Sequence, residues 1–65
     1  MTIRELYRAF DNASFSTAVV VVGAAKVEYN GLFISLPIKL EDAKVAYFRW
    51  NERKNEVTVY LNIDN

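Results

Sequence analysis

The chain of 65 residues contains no cysteine and no histidine. Without them it can form no disulfide and no zinc site of the Cys/His type. The same absences exclude a cysteine nucleophile and any catalytic pair that uses a histidine base. A domain this short buries little surface, so a well-packed core or oligomerisation has to stabilise it. We therefore predict that it is not an enzyme and has no catalytic residues, metal ligands or cofactor.

An excess of charge of either sign is also lacking. Eight acidic residues balance eight basic ones, whereas a strong sequence-independent nucleic-acid binder needs clustered positive charge. The longest apolar run, residues 18–22, is far too short to cross a bilayer, and no basic segment precedes it as in a signal peptide. These observations predict a soluble, cytoplasmic protein of one domain, residues 1–65, with no membrane association.

Glycine and proline are scarce, with two glycines and one proline, and their positions predict turns. Residues 23–24 (Gly-Ala) fit a type II′ turn and residues 30–31 (Asn-Gly) fit a type I′ turn. Pro37 marks a strand end, a bulge or an exposed edge, because it cannot donate to the ladder. A further hairpin is predicted within residues 46–61, with a loop of two or four residues centred on residues 53–54.

The N-terminal residues predict a helix. Thr2 and Glu5 have the spacing of a capping box, in which each side chain accepts a hydrogen bond from the other residue's amide. Apolar residues mark one helical face up to Phe10, and the periodicity ends at Asp11. We expect a helix over about residues 3–11, which must be held by packing because so short a helix is marginal alone.

The segments between the predicted turns are rich in β-branched and aromatic residues and predict strands. Counting outward from each turn places apolar residues opposite apolar residues on one face. The predicted fold is α+β, with one N-terminal helix packed on a four-stranded, mostly antiparallel meander sheet. The predicted core under the helix comprises Ala18, Val20, Val22, Val27, Tyr29, Leu32, Ile34, Phe48, Trp50, Val59 and Leu61.

The other face of the sheet should meet water, yet it is not properly polar. A nine-residue helix is roughly 14 Å long, and four strands are about 14–19 Å across, so the helix covers one face at most. Tyr and Arg are enriched at binding surfaces, and Tyr47 is predicted to pair with Tyr60 across the strands. A tyrosine pair that only stabilises its hairpin is the alternative. We predict an interface formed by Val19, Val21, Phe33, Val45, Tyr47, Arg49 and Tyr60.

Two charged features have alternative interpretations. Residues 39–54 hold five basic residues against three acidic ones, beside Tyr47 and Tyr60, so a small nucleic-acid-binding protein is the alternative function. The acidic pair at residues 41–42 predicts a solvated turn, with a weak site for a hard cation as the alternative. Glu28 is predicted to form a surface ion pair with a neighbouring lysine. The five basic residues of the 39–54 region are Lys39, Lys44, Arg49, Arg53 and Lys54.

The segments "TIRELYRAF" and "TAVVVV", within residues 2–22, resemble the opening of many short phage and prophage proteins. Those proteins often begin T-[IV]-x-E-L, run through one helix and enter a valine-rich strand. The resemblance implies an accessory protein of a mobile element, such as an inhibitor or adaptor of a host or phage protein, and no site residues carry over. We therefore expect a non-enzymatic protein-interaction module that works through a sheet face, as a homodimer.

Overall fold

The computed structural model describes residues 1–10, 13–23 and 26–61. In chain order the elements are α1 (Ile3–Ala9), a 3₁₀ helix (Ala13–Phe15), β1 (Thr17–Val22), β2 (Lys26–Leu32), a second 3₁₀ helix (Phe33–Ser35), α2 (Ile38–Glu41), β3 (Val45–Asn51) and β4 (Glu56–Leu61). The four strands form a sheet in the order β2-β1-β4-β3, and the predicted α+β fold with an N-terminal helix and a mostly antiparallel sheet is confirmed.

The sheet is mixed, which corrects the predicted meander. β1 pairs with β2 and β3 pairs with β4 in antiparallel fashion, whereas β1 and β4 lie parallel at the centre. This order buries the valine-rich β1 and leaves the edges to β2 and β3, which carry charged residues such as Lys26 and Arg49. A meander would have left β1 at an edge, where a flat apolar strand invites pairing with other chains.

The turn predicted at residues 30–31 does not form, and β2 runs through both residues. A type I′ turn needs positive φ at both central positions, and neither residue has it. Gly31 leaves room for the ring of Tyr29, whose hydroxyl oxygen lies 3.0 Å from the place of a Cβ at residue 31. That hydroxyl donates a 2.6 Å hydrogen bond to the Leu32 carbonyl. The glycine therefore serves a strand, not a turn.

The loss of this hairpin moves Phe33 from the predicted interface into the core. Its side chain is 1% exposed, and its ring contacts Tyr7 edge-on with 5.0 Å between centroids. The residues after Leu32 form a 3₁₀ helix, so the period of two that placed Phe33 on the other face does not apply. Five predicted core residues are instead exposed, namely Val27 (53%), Leu32 (51%), Ile34 (57%), Trp50 (41%) and Phe48 (40%).

The register of the first hairpin differs from the prediction by one residue. Val22 pairs with Lys26, whereas a two-residue turn at residues 23–24 would pair it with residue 25. Gly23 has a φ of 68°, which favours glycine. Ala24 of the predicted turn, Ala25 at the start of the predicted second strand and Asp11 at the predicted helix end lie outside the described residues.

The last hairpin has the predicted register over most of its length. Its strands are joined by the four-residue turn 52–55, because Asn51 pairs with Glu56. The confirmed pairs are Trp50 with Val57, Phe48 with Val59 and Tyr47 with Tyr60.

A bulge at Ala46 corrects the start of β3. Val45 pairs with Leu61 and Tyr47 with Tyr60, so Ala46 is the extra residue. One inserted residue exchanges the faces of the strand. Val45 therefore packs against the core, and its predicted place in the interface is wrong.

The core lies between α1 and one face of the central strands. The buried cluster comprises Ile3, Leu6, Ala13, Ala18, Val20, Phe33, Val57 and Val59.

No described helix is long and apolar enough to span a lipid bilayer.

The predicted capping box begins α1. The Glu5 amide donates to Thr2 Oγ1 at 3.3 Å, and the Thr2 amide donates to Glu5 Oε1 at 2.8 Å. The backbone bond from Thr2, followed by the bond with its hydroxyl, lowers the pKa of the Glu5 carboxyl from its usual value. The helix ends at Ala9, two residues before the predicted end.

Replacing Thr2 with Ala should lower the free energy of unfolding by about 1 kcal/mol, because the Glu5 amide loses its acceptor. Urea denaturation followed by circular dichroism measures the change. Thr2→Ser is the matched control, since it keeps the hydroxyl and should retain most of the stability. Equal stability of Thr2→Ala and the parent chain would show that the cap does not stabilise α1.

Candidate protein-interaction face

The sheet face away from α1 carries three rows of side chains that cross all four strands. Residues paired between neighbouring strands share a face, so the pairing defines each row. We call this surface the tyrosine face. Its rows are Val27–Val21–Tyr60–Tyr47, Asn30–Val19–Thr58–Arg49 and Leu32–Thr17–Glu56–Asn51.

The first row is an apolar band across the sheet. Val21 is 8% exposed between its neighbours, while the ends of the row at Val27 and Tyr47 are 53% and 56% exposed. The rings of Tyr47 and Tyr60 stack with 4.4 Å between centroids and 12° between planes. The band therefore ends in a paired aromatic surface whose two rings hold each other in place.

Most of the predicted interface residues lie together on the tyrosine face: Val19, Val21, Tyr47, Arg49 and Tyr60. Phe33 and Val45 lie on the core side, as described above. The sequence prediction missed Val27 and Leu32, which the supposed turn at residues 30–31 had assigned to the core. A bulge changes which face a residue occupies, and β2 has no sequence signal for one.

All described helical segments pack on the core side. Leu6 of α1, Ala13 and Phe33 of the two 3₁₀ helices belong to the buried cluster, and Leu40 of α2 packs against it. No helix among the described residues therefore covers the tyrosine face.

Both edge strands carry features that hinder pairing with another chain. Glu28 in β2 and Ala46 in β3 are bulged, and bulges interrupt the ladder at an edge. Lys26 Nζ and Glu28 Oε1 form the predicted ion pair at 3.4 Å. The Leu32 carbonyl already accepts a hydrogen bond from the Tyr29 hydroxyl. The face is consequently the better surface for association than either edge.

The basic residues of the alternative function are not gathered on one surface. Lys44 precedes β3 and Arg53 follows it, so the strand of seven residues, about 20 Å long, separates them. Lys39 belongs to α2, which contacts α1. Among the five, Arg49 is the one that the strand pairing places on the tyrosine face.

The acidic pair at residues 41–42 is engaged by Arg4. Its Nε lies 3.3 Å from Glu41 Oε1 and its Nη1 lies 2.7 Å from Asp42 Oδ1. The pair therefore ties α2 to α1. Among the described residues, no group of three or more potential metal-ligating side chains comes together.

No protein-family model, curated protein or solved structure matches this chain. Its function is accordingly inferred from its own geometry.

Proposed function

We propose that this protein is a non-enzymatic interaction module that associates with a second copy of itself through the tyrosine face. The observation that carries the proposal is the apolar band Val27–Val21–Tyr60–Tyr47, which no described helix covers. Removing apolar surface from water is favourable by about 25 cal/mol per Å². Stacked rings also lose little side-chain freedom on binding.

Charge favours a second copy as the occupant. A twofold interface uses the same patch on both protomers, so the patch must be its own complement. Arg49 and Glu56 lie on adjacent rows of the tyrosine face, and a twofold copy can bring Arg49 against the partner's Glu56. The net charge of zero adds no general repulsion between copies.

The size of the face predicts a weak dimer. Four strands of about six residues give a flat footprint of roughly 15 by 20 Å, or about 300 Å². Protruding side chains add accessible area to this footprint. The two protomers together would bury roughly 600–1,000 Å², below the 1,200–2,000 Å² of a standard interface. We expect a dissociation constant in the range of about 10–100 µM.

The resemblance of residues 2–22 to short phage and prophage proteins supports a biological setting for this module. In that setting the protein would be an accessory protein of a mobile element. A host or phage protein for which it acts as an inhibitor or adaptor would compete with the second copy for the tyrosine face.

Changing Tyr47 and Tyr60 together to Glu should dissociate the dimer, because each protomer would bring two charges into the apolar band. Sedimentation equilibrium over about 10 µM to 1 mM measures the mass. The circular dichroism spectrum should stay that of the parent chain, since both changes lie away from the core. A doubled mass that persists in the variant would contradict the proposal, as would a parent chain that stays monomeric throughout.

The matched control is Ile34→Glu with Ile38→Glu, which adds the same charge at exposed positions, 57% and 79%, outside the tyrosine face. This variant should remain a dimer. Raising the salt concentration separates the alternative function, because phosphate-driven binding weakens steeply with salt and an apolar interface does not. Salt-sensitive binding of oligonucleotides, lost in Arg49→Gln, would favour the nucleic-acid alternative.

A further inference from the structure

A groove of about 300 Å³ lies between α1 and residues 33–41, on the core side of the sheet. Its volume is at the lower end of the range for small-molecule sites. The tyrosine face lies on the opposite side of the sheet, so the groove has no part in the proposed dimer. The residues that line it are Ile3, Arg4, Tyr7, Arg8, Phe33, Ile34, Leu36 and Glu41.

The floor of the groove is apolar and preformed. Ile3 and Phe33 belong to the buried cluster, and the ring of Tyr7 is packed edge-on against Phe33. Ile34 lines the same groove with 57% of its surface exposed. An apolar ligand would therefore gain contact without opening the core.

The rim of the groove carries charged side chains. Among the lining residues, two guanidinium groups stand against the Glu41 carboxylate. Arg4 is bound to that carboxylate and to Asp42. Arg8 lies one helical turn further along α1, and no ion pair among the described residues includes it. An available guanidinium thus lies beside an apolar floor.

We propose that this groove binds a small amphiphilic carboxylate, with the apolar body on the floor and the carboxylate on Arg8. The fork of N–H donors of a guanidinium matches the two oxygens of a carboxylate. The positive charge of Arg8 disfavours a ligand that carries a cationic amine where the carboxylate would lie.

Titration of the ¹⁵N-labelled full chain with 4-phenylbutyrate tests this proposal, with the neutral 4-phenylbutanol as the matched ligand. Amide shifts should be confined to residues 3–8 and 33–41 and should saturate. Because Arg8 is exposed, the acid should bind only about fivefold more tightly than the alcohol. Arg8→Gln should remove this difference, and Arg8→Lys should keep part of it.

Arg53→Gln, in the turn between β3 and β4, is the control for a lost charge elsewhere and should bind like the parent chain. Ile34→Ser tests the apolar floor at an exposed position and should weaken both ligands. Shifts scattered over the surface would overturn the proposal. So would equal affinity for acid and alcohol, or equal affinity of Arg8→Gln and Arg53→Gln for the acid.

Discussion

Replacing Phe33 with Ala should lower the free energy of unfolding by about 3–5 kcal/mol. Phe33 is 1% exposed, and its ring meets Tyr7 and Phe10 edge-on with centroids 5.0 Å and 6.3 Å away. Substitution by Ala leaves a cavity and removes both aromatic contacts. A chain of 65 residues has roughly 3–10 kcal/mol of stability in all, so the substitution should remove a large fraction of it and lower the melting temperature strongly.

Circular dichroism during thermal and urea unfolding measures this loss. Phe15→Ala makes the same chemical change where the side chain is 79% exposed, and it should stay within about 0.5 kcal/mol of the parent chain. Phe33→Leu keeps much of the buried volume and should give a folded protein of intermediate stability. If Phe33→Ala proved as stable as Phe15→Ala, Phe33 would lie on the surface, as a hairpin at residues 30–31 requires.

Replacing Asn55 with Ala should cost about 2–3 kcal/mol, although the residue lies in an exposed turn. Asn55 has a φ of 51°, where an Ala is strained by about 1–2 kcal/mol and an Asn is better tolerated. Its side-chain Nδ2 donates a 2.7 Å hydrogen bond to the Phe15 carbonyl. The variant loses this bond as well, at about 0.5–1.5 kcal/mol.

The bonds of Asn55 hold together the starts of the two central strands. Its carbonyl accepts from the Thr17 amide at 3.0 Å, and its Oδ1 accepts from Ser16 Oγ at 3.4 Å. The next residue, Glu56, pairs with Thr17 at the beginning of the parallel ladder. Asn55 therefore helps to set the register between the two hairpins.

Asn55→Gly separates the two contributions to the stability lost in Asn55→Ala, which are the backbone strain at positive φ and the missing side-chain hydrogen bond. Glycine accepts the positive φ but has no side-chain amide, so this variant should lose less stability than Asn55→Ala when both are measured by urea denaturation. Arg53→Ala, in the same turn, should change little. Asn55→Ala as stable as Arg53→Ala would show that Asn55 does not hold the strands together.

Local signals in the sequence led to correct predictions where the structure needs only contacts between residues that are close along the chain. The capping box requires contacts only between residues 2 and 5, and it forms as predicted. The last hairpin is similar, because its turn and its paired strands are contiguous along the chain. The pairing of Tyr47 with Tyr60 follows from that register, which is why much of the tyrosine face could be predicted.

The Asn-Gly pair at residues 30–31 shows how a strong local signal is overridden. Its preference for a turn competes with the strand pairing of β2 against β1, which continues through both residues. Tyr29 over Gly31 adds a contact that a turn would not have. Asn55 is the opposite case, since a polar turn residue gains its role from contacts with residues about 40 positions earlier.

The amino-acid sequence by itself determined the helix start, the last hairpin and the α+β class. It also excluded the chemistries that need cysteine or histidine, because it contains neither residue. The tertiary structure alone decided that β1 and β4 lie side by side, that Phe33 belongs to the core, and that an apolar band crosses the tyrosine face. The physical reason is that the first group depends on neighbours along the chain. The second depends on which strand is buried at the centre and where the bulges fall, and these are settled by packing between distant segments.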